Sequence, residues 1–458
     1  MSLEDTMRQT SRQLELSLDV RGETPNVCGS GEALTATHGN ERSGNDDALL
    51  MERVVARDNV VAALKRVQKN KGSPGIDGMT VEALRDHLRE TWPALREQLL
   101  AGTYRPRPVK RQLIPKSDGG VRELGIPTAL DRFIQQALLQ VLQPQIDPSF
   151  SSHSHGFRPG RRAHDAVCEA QKYIQEGRQW VVDVDLEKFF DRVNHDVMMG
   201  KLAKRIADKR VLGLIRGYLD AGIMANGVVT ERREGTPQGG PLSPLLANVL
   251  LDEVDKELEK RGHAFVRYAD DCNIYVRSQR AGERVMTTLR RLYARLRLQI
   301  NESKSAVARP WARKFLGYSF WVDKDDAVKR RIADKALATM KDRVRSITIR
   351  HGRSLLSIIA DLGSYLVGWK NYFRLADTPR TFRDLDGWIR HRLRAIQLKH
   401  WRNYSTILRA LKARGLSPHQ AWEVARHTGR WWVGSARTLN RALPIRYFDN
   451  LGLPRLAA

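Results

Sequence analysis

Two adjacent carboxylates, Asp270 and Asp271, stand between two short β-favouring runs, Phe265-Val266-Arg267-Tyr268 and Cys272-Asn273-Ile274-Tyr275-Val276. The pattern predicts a hairpin with its charges at the tight end. Neighbouring residues on a strand point to opposite faces, so only a turn or strand end lets both carboxylates reach one cation. Two Asp side chains held that close repel unless a divalent ion neutralises them, and hard oxygen donors suit Mg²⁺. An Asp-Asp pair alone is equally a common surface turn. Upstream, Trp180-Val181-Val182-Asp183-Val184-Asp185 reads as a buried strand. Its alternation puts Val181, Asp183 and Asp185 on one face. Carboxylates ending an apolar strand are costly unless something binds them, and a metal is the simplest candidate. Phe189 and Phe190 follow closely, with one of the two rings expected to be core packing only.

The chain has 458 residues, enough for two or three packed units. Its 78 Lys+Arg against 52 Asp+Glu leave a net charge of +26, which points to a polyanionic partner, nucleic acid being the commonest. Lys329–Ala458 holds 27 Lys+Arg against 8 Asp+Glu, a surplus of 19 of those 26 charges. Aromatics interleave with this basic texture, among them Tyr365, Trp369, Tyr372, Phe373, Trp388, Trp401, Trp422, Trp431 and Trp432. Such faces suit RNA through phosphate contacts and base stacking, although scattered rings also serve as core. Cys28, Cys168 and Cys272 stand far apart, which excludes a zinc module or disulfide framework and fits a reducing cytoplasm. No apolar run approaches membrane length and no secretory signal opens the chain, so neither a membrane span nor secretion is expected.

Residues 1–48 read as a flexible leader. Apolar positions from Met51 to Val67 predict one amphipathic helix ending at Lys69-Asn70-Lys71-Gly72. Further helices are expected from about Val81 to Leu100, over 128–146 (amphipathic) and from about Val197 to Leu219. Another is expected to start at Ser243-Pro244, with Ser as cap and Pro first. Phe315-Leu316-Gly317-Tyr318-Ser319-Phe320 reads as a strand. Two extended runs, Val109 to Lys116 and Val121 to Pro127, flank a Ser117-Asp118-Gly119-Gly120 turn and predict a basic hairpin carrying Lys116 and Arg122. Its tip is either a solvated turn or a cap over a triphosphate, since Lys and Arg donate charge-assisted hydrogen bonds to phosphate. His153 and His155 lie among Arg158, Arg161 and Arg162. With no carboxylate cluster beside them, they indicate a structural or nucleic-acid-facing loop rather than a metal site. Gly239-Gly240 lets backbone approach a ligand closely beside Gln238. A domain division is expected near residue 325, at Asp323-Lys324-Asp325-Asp326.

Tyr268-Ala269-Asp270-Asp271, preceded by Asp185 to Phe190 and by Gln238 to Asn248, resembles the reverse transcriptases encoded by bacterial group II introns. Gly75-Ile76-Asp77-Gly78, Leu124-Gly125-Ile126-Pro127, Gly156-Phe157-Arg158-Pro159-Gly160 and Phe315-Leu316-Gly317-Tyr318 resemble that family's other blocks in the same order, over roughly residues 50–450. The resemblance implies an α+β right-hand polymerase. Residues 49–325 would form fingers and palm with antiparallel sheet, and 326–458 an all-α thumb and maturase region that grips intron RNA.

By that resemblance Asp185, Asp270 and Asp271 hold two Mg²⁺ ions. Lys116, Arg122 and Gln238 contact the incoming deoxynucleoside triphosphate, Phe190 excludes a 2′ hydroxyl, and Arg158, Lys304 and Gly317 contact RNA or primer. Asp183 is no ligand in the family pattern, although the strand alternation puts it on the ligand face. The Cys and His residues of the zinc-bearing endonuclease found in many relatives are missing, so the compact type, using exposed single-stranded or structured DNA targets, is expected. The implied function is RNA-directed DNA polymerase and maturase, with intron RNA, an RNA template with DNA primer, and a DNA target as partners in the cytoplasm. Alternatives are a domesticated enzyme of phage defence or CRISPR adaptation, and a non-catalytic RNA chaperone on the same fold.

Overall fold

The computed structural model describes residues 49–115, 120–225, 228–230, 234–236, 239–349, 352–426, 432 and 439–457. They divide into two compact units, one ending at Arg309 and the other starting at Pro310, ahead of the boundary expected near 325.

The first unit opens with α1 (Leu50–Val54) and α2 (Arg57–Lys69), two helices where one was expected. Ala56 takes an extended ψ of 140°, and the Asn59 amide donates to the Val54 carbonyl that the break exposes. After α3 (Leu84–Ala101), the antiparallel hairpin β1 (Val109–Pro115) and β2 (Val121–Ile126) pairs from Lys110 with Ile126 to Pro115 with Val121. Helix α4 (Ala129–Ile146) follows, capped by Thr128, whose hydroxyl accepts from Asp131 N–H. Every residue from Asp131 to Leu138 is buried, so the first half has no face in water, and exposure returns only in the second half, at Pro144. Its buried Asp131 is paired, accepting from Tyr104 Oη at 2.8 Å and Thr128 Oγ1 at 2.7 Å, whereas Arg132 Nε is buried without a partner among the described residues.

Helix α5 (Ala163–Gln175) precedes β3 (Trp180–Val184). The helical stretch expected over Val197 to Leu219 is also two helices, α6 (His195–Leu202) and α7 (Lys209–Asp220), because Asp208 caps the second by accepting from the amides of Arg210 and Val211. Short strands β4 (Ile223–Ala225) and β5 (Val228–Thr230) extend the first sheet in the order β2-β1-β4-β5. Helix α8 (Ser243–Lys260) begins at the expected cap itself, one residue earlier than expected: Leu242 is the flanking residue, and the Ser243 hydroxyl lies 3.1 Å from that of Thr236. The hairpin β6 (Ala264–Tyr268) and β7 (Asp271–Val276), helix α9 (Gln279–Arg295) and β8 (Ala306–Ala308) complete a sheet of order β6-β7-β3-β8, antiparallel throughout. Val182, Val184, Phe265, Cys272 and Ile274 share one face of it and join the core with α8 and α9.

In the second unit, the run Phe315–Phe320 is not one strand. A two-residue turn joins β9 (Lys314–Phe315) to β10 (Tyr318–Val322), with Leu316 at φ 50° and Gly317 at φ 78°, the left-handed pair that matches strand twist. Strand β11 (Val328–Ile332) closes this sheet, so the stretch after 325 is helical except for its first strand. Helices α10 (Asp334–Ile349), α11 (Leu355–Tyr372), α12 (Pro379–Trp401), α13 (Tyr404–Lys412), α14 (Pro418–Ala425), α15 (Leu439–Ala442) and α16 (Ile445–Asn450) follow. No helix among the described residues is long and apolar enough to cross a membrane.

Candidate active site

The hairpin forms as its sequence predicts. Tyr268 pairs with Asp271, which leaves Ala269 and Asp270 as a two-residue turn, with Ala269 at φ 58°. A left-handed alanine costs about 1 kcal/mol, so surrounding contacts must hold it. On β3, Val184 pairs with Cys272, and one further step in that register sets Asp185 opposite Asp271. Asp183 pairs with Asn273, whose amide, turned to satisfy its neighbours, donates to Asp183 Oδ1 at 3.0 Å. Asp183, Asp185 and Asp271 therefore share the face opposite the core, with Asp183 inside the sheet and the other two at its end. Lys304 Nζ lies 3.8 Å from Asp185 Oδ2, both partly exposed.

The three positions Asp185, Asp270 and Asp271 meet at one edge, and their hard oxygen donors suit a divalent cation. Among the described residues, however, no group of three His, Cys, Asp or Glu side chains converges closely enough to hold one. The strand register thus brings the three positions to one end of the sheet without converging their carboxylates.

Behind the turn lies a buried brace. Arg267, 1% exposed, donates from Nε to Asp255 Oδ1 at 2.8 Å, from Nη2 to Ser154 Oγ at 2.7 Å, and from Nη1 to both Asn248 Oδ1 and the Ala269 carbonyl at 2.9 Å. Asn248 Nδ2 donates in turn to the Gly156 carbonyl at 2.9 Å. Burial works against the Arg267 charge, but the facing Asp255 carboxylate outweighs it and raises the guanidinium above its ordinary value. Gly156 packs on the turn so closely that a Cβ there would sit 2.2 Å from Ala269 N. None of these five residues was expected in this bracing role, although Gly156, Asn248 and Arg267 lie in the quoted sequence blocks. One signal was available: Arg267 alternates with Phe265 onto the apolar face, where a charge requires a partner.

The other expected site residues scatter. Phe189 is core and Phe190 only half buried, their rings edge to face at 5.0 Å. The Phe190 carbonyl accepts from Thr236 N–H at 2.7 Å, which leads the chain toward Gln238. Gln238 and Lys116 lie outside the described residues, and the backbone of Arg122 stands opposite Ile114. Arg158, which the resemblance assigns to RNA or primer, is turned inward. It is bidentate to Asp147 at 2.9 and 3.1 Å and also donates to the carbonyls of Ser151, Ser154 and Asp147, so its guanidinium is consumed in holding the loop. Gly317 serves the β9–β10 turn, in the second unit. The loop histidines do have a carboxylate. Glu169 of α5 takes His153 Nδ1 on one oxygen and His155 Nε2 on the other at 2.6 Å, with Tyr173 Oη donating at 2.7 Å. Burial works to raise the Glu169 carboxyl, but these three hydrogen bonds prevail and bring it to about 2.

In the second unit the rings divide by role. Tyr318, Trp369, Phe373 and Phe382 are buried together, whereas Trp422 and Trp432 are 44% and 46% exposed, with Arg426 lying 4.6 Å over the Trp422 ring. Not every arginine faces water: Arg390 pairs with Asp386 and Asp449, and burial brings Arg394 down to about 10.

Residues 114–320 match the reverse transcriptase (RNA-dependent DNA polymerase) family, and residues 337–414 match the group II intron maturase-specific domain. Protein YkfC of Escherichia coli is 36% identical over 217 residues, covering 46% of this chain and 57% of that protein. The group II intron-encoded protein LtrA of Lactococcus lactis is 36% identical over 200 residues, covering 43% of this chain and 33% of that protein. The chain thus spans about a third to just over half of the length of these relatives. A chain of the solved partial Cas6-RT-Cas1–Cas2 complex is 26% identical, covering 54% of this chain and 42% of that one, at a TM-score of 0.35, a likeness too loose to argue from.

Proposed function

From the matches of residues 114–320 to the reverse transcriptase family and of residues 337–414 to the group II intron maturase-specific domain, we propose that this chain extends a DNA primer on an RNA template and binds its intron RNA to assist splicing and mobility. The observation that carries the polymerase reading is the meeting of Asp185 with the Asp270-Asp271 turn at one end of an antiparallel sheet. Asp185, Asp270 and Asp271 would hold two Mg²⁺ ions, which when bound supply charge neutralisation at the attacking 3′ oxygen and the leaving pyrophosphate.

The chain's own residues do the rest. Lys304 offsets the Asp185 charge and would meet a primer phosphate. The half-buried Phe190 ring, backed by Phe189, limits space at the sugar of the incoming deoxynucleotide. By the family resemblance, Lys116, Arg122 and Gln238 would contact the incoming nucleotide. The basic second unit, with a maturase-specific match over 337–414, would hold the intron RNA through phosphate contacts.

Primer extension on an RNA template with Mg²⁺ and deoxynucleotides tests the polymerase reading. Wild-type protein extends, and Asp271→Asn loses at least about 10³-fold in rate while still binding RNA. Equal extension by the variant refutes the assignment, and no extension by wild type leaves the non-catalytic chaperone. Sequencing the RNA that copurifies tests the maturase half: a structured intron flanking the gene supports it, and its absence favours a domesticated enzyme.

A further inference from the structure

At the far end of the same sheet, where β6 begins at Ala264 and β7 ends at Val276, a cavity of about 380 Å³ opens to the surface. Four residue steps along β6 separate it from Tyr268, roughly 13 Å at strand rise. Its polar lining is strongly one-signed: Arg178, Arg261, Arg277, Arg284 and His263, with no carboxylate among the lining residues. Two of the arginines are partly compensated from outside the cleft, Arg178 by Glu176 and Arg261 by Glu257. The side chains of Arg277 and Arg284 make no hydrogen bond or ion pair with any described residue. Burial, and then the neighbouring Arg261 charge, hold His263 below its ordinary value.

Cations crowded around a concave surface repel one another until an anion joins them. Guanidinium groups suit phosphate by geometry, each offering a planar fork to two oxygens. The cleft is held from several directions, by the loop after α5, the turn between α8 and β6, the end of β7 and the outer face of α9. Its floor is the rigid sheet edge, with Ala264 and Val276. A surface patch of solvated arginines needs neither the concavity nor the exclusion of carboxylates.

We propose that this cleft is a phosphate-binding site, separate from the carboxylate end of the sheet, that holds the backbone of an RNA strand. It stands on the charge and shape of the cleft alone, and its readout is binding, so it survives or fails independently of polymerase activity. The shared chemistry is the phosphate group, and a free nucleotide is the other source of it.

Full-length protein is compared with the double variant Arg277→Gln, Arg284→Gln. Fluorescence anisotropy of a labelled single-stranded RNA is followed across a salt series, beside equilibrium dialysis of radiolabelled AMP. The variant Arg85→Gln, Arg96→Gln on the exposed face of α3 removes equal charge elsewhere. The expected result is a log–log salt slope flatter by about 1.4 and RNA binding roughly tenfold weaker at 0.15 M salt, with the α3 variant close to wild type. Loss of AMP binding with an unchanged RNA slope keeps the phosphate site and assigns it to a free nucleotide. If the cleft variant matches the α3 variant in both assays, there is no phosphate site here.

Discussion

Replacing Gly156 with alanine isolates the contact that supports the Asp270-Asp271 turn. Gly156 does not require a left-handed backbone, so the substitution tests space alone. The added Cβ would lie 2.2 Å from Ala269 N, 2.9 Å from the Tyr268 carbonyl carbon and 3.1 Å from Ala269 Cα. All three are backbone atoms, so no side chain can rotate out of the way. Reaching ordinary van der Waals separation moves the turn by roughly 1 Å relative to β3. A shift of that size at a reacting centre costs about 10²-fold in rate, near 2.7 kcal/mol of transition-state stabilisation. Overpacking adds about 1–3 kcal/mol of destabilisation. The assay is single-turnover extension of a pre-annealed primer on an RNA template, with thermal unfolding on the same samples. Gly200→Ala on α6, where a Cβ meets nothing within 4 Å, is the control and should keep both rate and stability. A folded Gly156→Ala protein extending within about threefold of wild type would show that the turn yields without consequence, and the positioning account would fail.

Asp183→Asn should keep extension within about tenfold of wild type, since Asp183 sits inside the sheet against Asn273, whereas Asp185→Asn should abolish it. The same primer-extension series separates them, and equal loss would place Asp183 in the site. Phe190→Val should raise incorporation of ribonucleotides by about tenfold or more, read from competition between the two sugars, and unchanged selectivity removes Phe190 from that role. Glu169 has its carboxyl lowered from 4.5 to about 2 on folding, so it adds stability, on the order of 3 kcal/mol, that is present above pH 4.5 and lost as pH falls toward 2. Urea midpoints of wild type and Glu169→Gln should therefore differ at pH 5–6 and converge on acidification; a gap that stays constant down to pH 2 contradicts this. Gly317→Ala forces a side chain into φ 78° and 3.3 Å from the Phe373 ring, and should cost about 1–2 kcal/mol in thermal unfolding.

The parts of the molecule legible in sequence were those written in local period. Alternation and β-branching located the strand ending at Asp185 and the hairpin around Asp270, since both signals arise within a few residues. Breaks inside helical patterns were not legible. Ala56 and Asp208 interrupt continuous apolar spacing because Asn59 and Asp208 hold chain ends through hydrogen bonds that no periodicity records. Leu316-Gly317 reads as strand interior until the pairing of Tyr318 with Phe315 shows a turn. Arg158 and Arg267 mark the sharper limit. A basic residue near a nucleic-acid motif looks like a contact, and although alternation puts Arg267 on the apolar face, only tertiary structure shows the carboxylates, 11 or 12 positions away, that Arg158 and Arg267 hold. Glu169, 14 residues beyond His155, escaped for the same reason.

The brace behind the turn has a consequence for how the protein is made. Arg267 joins Ser154 across 113 residues, and Asn248 joins Gly156 across 92. Ties that long close late, after the entropy of large loops has been overcome. During synthesis the Asp270-Asp271 turn leaves the ribosome over a hundred residues after Ser154 and Gly156, and its left-handed alanine has no reason to hold until the brace engages. The carboxylates of a half-made chain are thereby kept from a fixed geometry, so competence to bind metal should arise in one step with completion of the sheet.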